Sequence, residues 1–164
     1  MSIVWRDKVL SSYNGNIESV LIVNGENEPI EVPNGVFVTL GDLAGMGREV
    51  KYATLGADED GEALLVSSPE VLYEAGKEID DFVNEAGKVA RAFRLADGDV
   101  ITLTVDLLEN EPTGEVGQVF VVGANGRLTT EGADTATGLR FEVREDAGHE
   151  LTREQRAWRF DIVK

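Results

Sequence analysis

The chain of 164 residues has no cysteine, a single histidine, four prolines and only 7% aromatic residues. Without cysteine there are no disulfides, thiolate zinc sites, iron–sulfur clusters or cysteine nucleophiles, and packing alone must hold the core. The lone histidine, His149, stands between Gly148 and Glu150 in a loop-like setting. A serine hydrolase needs a base beside its nucleophile, and no serine lies in a nucleophile-elbow context, so His149 reads as an exposed loop residue. Positive charge is scarce: 15 Lys and Arg face 31 Asp and Glu, a formal net charge of -16. A surface of that sign repels phosphate backbones and anionic lipid, which argues against direct nucleic-acid and membrane partners. No apolar run approaches the roughly 20 residues of a membrane span. Arg6, Asp7 and Lys8 interrupt the stretch where a signal peptide needs an apolar centre, so synthesis in the cytoplasm is expected.

What is present is a composition fit for folding, with 42% hydrophobic residues over a length suited to one domain, 1–164. Turn dipeptides punctuate the chain. Asn-Gly occurs at Asn14-Gly15, Asn24-Gly25, Asn34-Gly35 and Asn125-Gly126, and Asp-Gly at Asp60-Gly61 and Asp97-Gly98. Between the first three lie Ile17 to Val23 and Pro29 to Val32, followed by Val36 to Leu40, all short and rich in β-branched residues; they read as a meander. Asp99 to Leu107 alternates with a period of two and is the clearest strand. Glu49 to Leu55, Ala63 to Ser67, Val89 to Leu95, Val116 to Val122, Leu139 to Arg144 and Ala157 to Val163 are further strands, the last placing Trp158, Phe160 and Ile162 on one face. Helical signal is confined to Ser68 to Ala86, broken by glycine into one or two turns, and to a short capping box of Thr152 with Gln155. The expected fold is therefore all-β, an antiparallel sandwich or small barrel with short helical turns.

Candidate sites are few. Asp58-Glu-Asp-Gly-Glu62 offers clustered carboxylates, but in an EF-hand register the first and twelfth positions would be Gly56 and Ser67, neither of them a ligand. The glycines of Gly41 to Gly47 lack the Gly-Lys-Ser or Gly-Lys-Thr of a phosphate loop. Asp80 and Asp81 are an adjacent acidic pair that more naturally faces solvent. No catalytic residue, metal or cofactor is expected. Acidic residues crowd Asp58 to Glu85, whereas Arg140 to Lys164 is balanced, which gives the molecule electrically distinct regions. The first eight residues combine Trp5 with Arg6 and Lys8, an amphipathic anchor and two of the scarce cations. They form either an N-terminal arm that contacts a partner through Trp5, Arg6 and Lys8, or an edge strand of the sheet.

A set of segments carries a resemblance: Asn34-Gly-Val-Phe-Val-Thr-Leu-Gly41, Pro69-Glu-Val-Leu-Tyr73, Asn84-Glu-Ala-Gly87, Val89-Ala-Arg-Ala-Phe-Arg-Leu95 and Gly98-Asp99. From about Asn34 to Val105 the chain resembles the decoration, or cement, proteins of tailed phages, small virion proteins encoded beside the major capsid gene. The resemblance implies a β-rich, non-enzymatic structural protein on the capsid exterior of the virion. It implies the major capsid protein as partner, a homo-oligomer on the shell, and a role in clamping neighbouring capsid subunits against internal DNA pressure. Two other readings stand beside it: a tail-tube or head-completion virion protein, and a small-molecule or carbohydrate-binding β domain.

Overall fold

A computed structural model describes residues 2–8, 16–45, 49–70 and 82–164, with the backbone alone for 5–8. Eleven strands form among them: β1 Val4–Lys8, β2 Ile17–Ile22, β3 Phe37–Leu43, β4 Val50–Leu55, β5 Leu64–Val66, β6 Val89–Arg94, β7 Val100–Thr104, β8 Val119–Val122, β9 Leu128–Thr129, β10 Arg140–Gly148 and β11 Ala157–Val163. The only helical pieces among the described residues are 3-10 turns, of which Val105–Leu107 and Ala133–Thr135 span three residues each. The fold is all-β, as expected from the alternation and turn signals.

The strands divide between two units. β2, β4, β3, β5 and β6 close into a barrel in that order, and β1, β7, β11, β10, β8 and β9 form a six-stranded sheet in that order. Small barrels leave room for few side-chain atoms inside, and the buried Ala53, Ala90 and Ala92 of the barrel strands meet that limit. In the sheet, Ile101, Leu103, Phe120, Phe141, Phe160 and Ile162 are fully or almost fully buried. The two units share one apolar cluster. Their joint is visible in the rings: Phe37 of β3 meets Phe141 of β10 edge-on at 4.9 Å, and Phe120 meets Phe160 at 5.6 Å within the sheet.

The early meander is corrected. β2 does not pair with β3; it pairs in parallel with β4, Ser19 opposite Val50 through Ile22 opposite Ala53, and antiparallel with β6. Pro29 to Val32 forms isolated bridges, Pro29 to Val23 and Val32 to Asn84, instead of a strand. The Asn24-Gly25 turn is likewise not a two-residue loop with both central residues at positive φ. Asn27 takes that conformation at φ 61, and the loop closes with Asn27 N–H donating to Asn24 O and Asn24 N–H donating to Glu28 O. This is a three-residue loop, a type I turn followed by a left-handed residue. Asp58 to Glu62 repeats it, with Gly61 in the left-handed position. Asp97-Gly98 lies where the chain passes from the barrel to the sheet, so β6 and β7 are sequential but unpaired.

Neither helical expectation gives a helix that can be described. Thr152 accepts a hydrogen bond from Glu154 N–H at 3.3 Å in a run of bends, too short a stretch for helical hydrogen bonds to offset the cost of nucleation. Ser68 and Pro69 belong to no helix or strand, and residues 71–81 of the other candidate, with Asp80 and Asp81, lie outside the described residues. So does Asn14-Gly15.

Candidate functional site

Residues 2–8 build an edge of the sheet. β1 pairs antiparallel with β7, Val4 opposite Leu103 and Trp5 opposite Thr102, with a bulge before Lys8 opposite Val100. Apolar and hydroxyl residues fasten its start. Ile3 and Val4 are each only 7% exposed, Ile3 N–H donates to Thr104 Oγ1 at 3.1 Å, and Thr104 N–H returns a bond to Ile3 O at 3.2 Å. Ser2 Oγ donates to Asp106, which also accepts from Thr104 Oγ1. Of the arm and the edge strand, the structure has the strand. Bulges and charged residues are common on exposed edges because they discourage unwanted pairing, and this edge carries a bulge and the sequence Arg6-Asp7-Lys8. The side chains of Trp5, Arg6 and Lys8 lie outside the described residues.

The acidic loop Asp58 to Glu62 has a structural use for its leading carboxylate. Asp58 Oδ1 accepts from Asp60 N–H at 3.0 Å and from Glu62 N–H at 2.8 Å, an Asx turn that organises the loop. Glu62 meets Lys164 Nζ at 2.6 Å, and Gly61 O accepts from Leu139 N–H across a close approach to Gly138. Among the described residues no three His, Asp or Glu side chains gather where they could hold a metal ion. His149 is exposed in the turn after β10.

Charge is organised on the strands. Glu18, on β2, sits between Lys51 of β4 at 3.2 Å and Arg94 of β6 at 2.9 Å. Partial burial pushes its carboxyl up, but the bonds from Arg94 and Lys51 together outweigh it and hold the pKa below the ordinary value. On the β10–β11 hairpin, Arg144 pairs with Asp161, Arg156 with Asp146, and Arg159 with Glu145 and Glu150. The Arg156 guanidinium holds Asp146 below the usual carboxylate range and also lies 5.5 Å over the Trp158 ring. Trp158 is core, at 4% exposure. These cross-strand ion pairs account for much of the balanced charge between Arg140 and Lys164.

The feature that sequence reading missed is a buried amide pair. Asn34 is 1% exposed and Asn84 7%. The Asn34 amide donates to Ser68 O at 3.0 Å and to Glu70 Oε1 at 3.2 Å, while its oxygen accepts from Ser68 N–H at 2.9 Å and from the Asn84 amide at 3.1 Å. Asn84 also donates to Val32 O, and the two residues exchange backbone hydrogen bonds. Asn34 thus satisfies its carboxamide completely and ties three separated stretches of the barrel together. Beside it opens a groove of about 530 Å³ whose rim includes Ser68, Asn84, Lys88 and Arg91, where the described chain stops at Glu70 and resumes at Phe82. A lone Asn-Gly reads as a turn, and nothing local to it signals a partner fifty residues away.

No family model, curated protein or solved structure matches this chain. Among the described residues no helix is long and apolar enough to cross a membrane.

Proposed function

We propose that this chain is a capsid decoration protein of a tailed phage: a non-enzymatic β domain that binds the outer surface of the shell and stabilises it. The observation that carries the reading is where the resembling segments fall. Asn34 to Gly41 runs into β3, Val89 to Leu95 contains β6, and Asn34 and Asn84 are the buried amide pair, so these segments form one connected part of the barrel. A rigid, pre-formed domain suits a clamp, because little ordering entropy is lost when it seats on a lattice. The proposed partner is the major capsid protein, the proposed site of action is the virion exterior, and Trp5, Arg6 and Lys8 on the edge strand are the proposed contacts. The edge would lie on the shell with its two cations against capsid carboxylates, leaving the acidic loops outward.

Co-sedimentation with assembled shells and with free capsid subunits tests the reading. A clamp spans neighbours, so shells should bind more tightly than subunits, and the double reversal Arg6→Glu with Lys8→Glu should weaken shell binding. Equal affinity for shells and free subunits would contradict the reading. Incorporation into tails or connector assemblies instead would favour the tail-tube or head-completion role.

A further inference from the structure

Three Asn-Gly pairs lie among the described residues, and their surroundings differ in the respects that control succinimide chemistry. We infer that, of these three pairs, Asn24-Gly25 is the one prone to spontaneous deamidation and isoaspartate formation in the folded protein, while Asn34-Gly35 and Asn125-Gly126 are protected by the fold.

The reaction starts when the Gly backbone nitrogen attacks Cγ of the preceding asparagine. A bond forms between that nitrogen and Cγ, the Cγ–Nδ2 bond breaks, and ammonia leaves with the proton lost by the attacking amide. Water then opens the five-membered ring at either carbonyl, giving aspartate or its β-linked isomer. The attacking N–H must be free, the residue must be able to turn, and charge on Oδ1 must be stabilised.

At Asn24 the nucleophile is free and Oδ1 already faces donors, and the hydrogen bonds that the carboxamide must loosen to turn are all solvent-exposed. Gly25 is exposed, has nothing within 4 Å of the position a Cβ would occupy, and its N–H makes no hydrogen bond to another described residue. Asn24 Oδ1 already accepts from Glu26 N–H and Glu28 N–H, both at 2.9 Å, two aligned donors for the oxygen that becomes anionic. The departing Nδ2 lies 3.2 Å from Glu28 Oε2. At Asn34 the nucleophile is engaged: Gly35 N–H donates to Val66 O at 2.8 Å, and the carboxamide is buried and fully bonded. At Asn125 the side chain is exposed, but Gly126 is wedged. Its N–H donates to Gly123 O at 3.0 Å, its carbonyl accepts from Phe37 N–H at 2.8 Å, and an added Cβ would stand 2.5 Å from Phe37 O. The two products differ in consequence. An aspartate at position 24 keeps the loop, since Asp58 heads the same geometry with the same two acceptor bonds. The β-linked product displaces the carboxylate relative to its donors and unties the exit of β2.

The test is to hold the intact protein in mildly alkaline buffer, with a parallel sample in urea. Each Asn-Gly peptide is quantified by mass spectrometry, with aspartate and isoaspartate products separated. In the folded protein Asn24 should convert about ten-fold or more faster than Asn34 and Asn125, since at those two sites the attacking Gly N–H is itself hydrogen-bonded and must first be released. In urea the three rates should converge. Conversion of Asn34 or Asn125 as fast as Asn24 in the folded protein overturns the inference. Gly25→Ala, which the open space accommodates, should slow conversion at Asn24, because the added methyl crowds attack by the backbone nitrogen; conversion to aspartate with no isoaspartate would show that the reaction does not pass through attack by that nitrogen.

Discussion

Truncating Phe141 to alanine removes the ring that joins the barrel to the sheet. Phe141 is fully buried on β10, and its edge contact with Phe37 at 4.9 Å is one of the places where the two units share a core. A buried Phe→Ala change costs about 3–5 kcal/mol through lost transfer energy and the cavity left behind, and an aromatic pair contributes roughly 0.5–1.5 kcal/mol of its own. Against a global stability of about 5–15 kcal/mol, the variant should fold but with a large fraction of its margin gone. For a domain of this size that loss corresponds to a fall in Tm of about 6–20 °C. Urea unfolding followed by tryptophan fluorescence reads the sheet, which holds Trp158 on β11 and Trp5 on β1. Amide hydrogen exchange at Val38, Ala53 and Ala92 reads the barrel. Because the core is shared, both probes should lose stability together in one transition. Loss of sheet stability with unchanged protection in the barrel, or a total cost below about 1 kcal/mol, would refute the shared core.

Other expectations follow from individual contacts. Gly138→Ala would place a Cβ 2.4 Å from Asp60 O and 2.6 Å from Gly61 backbone atoms, so it should cost about 1–3 kcal/mol in a denaturant titration, with Gly25→Ala close to neutral as the control. Glu18 has a folded pKa below its ordinary 4.5, so its stabilising contribution is complete above that value and is lost as pH falls through the lowered folded value. The stability difference between wild type and Glu18→Gln should therefore shrink on acidification; a difference independent of pH across that range would contradict the ion-pair account. Deleting residues 1–8 should destabilise the domain by about 3–6 kcal/mol, because Ile3 and Val4 are buried and β1 pairs with β7; melting unchanged from wild type would show that the edge strand is not packed.

Much of the strand inventory was legible because burial on one or both faces leaves its period in the residues. Ala157–Val163 has the bounds expected of it, and Trp158, Phe160 and Ile162 do face the core. The partners were not legible. That β2 lies parallel to β4 and beside β6 depends on barrel closure, a non-local arrangement that no short segment encodes. Turn chemistry was half legible: Asn24 marks a loop, but it does so by bonding two backbone N–H groups through its side chain, while Asn27 supplies the left-handed backbone. The Asn34 and Asn84 pair was hidden for the same non-local reason, since each amide is satisfied only when distant stretches meet. Thr152 shows the converse error, a local helix signal in a segment held between β10 and β11.

The most direct measurement of the proposed role is the rupture temperature of assembled shells, built from the major capsid protein encoded in the same genome, with and without this chain. A protein that binds the intact shell in preference to its dissociated subunits shifts the equilibrium toward the shell. Rupture should therefore move to higher temperature as the chain is added and level off when its sites are filled. A rupture temperature that stays constant at concentrations where the chain is bound would contradict a cementing function.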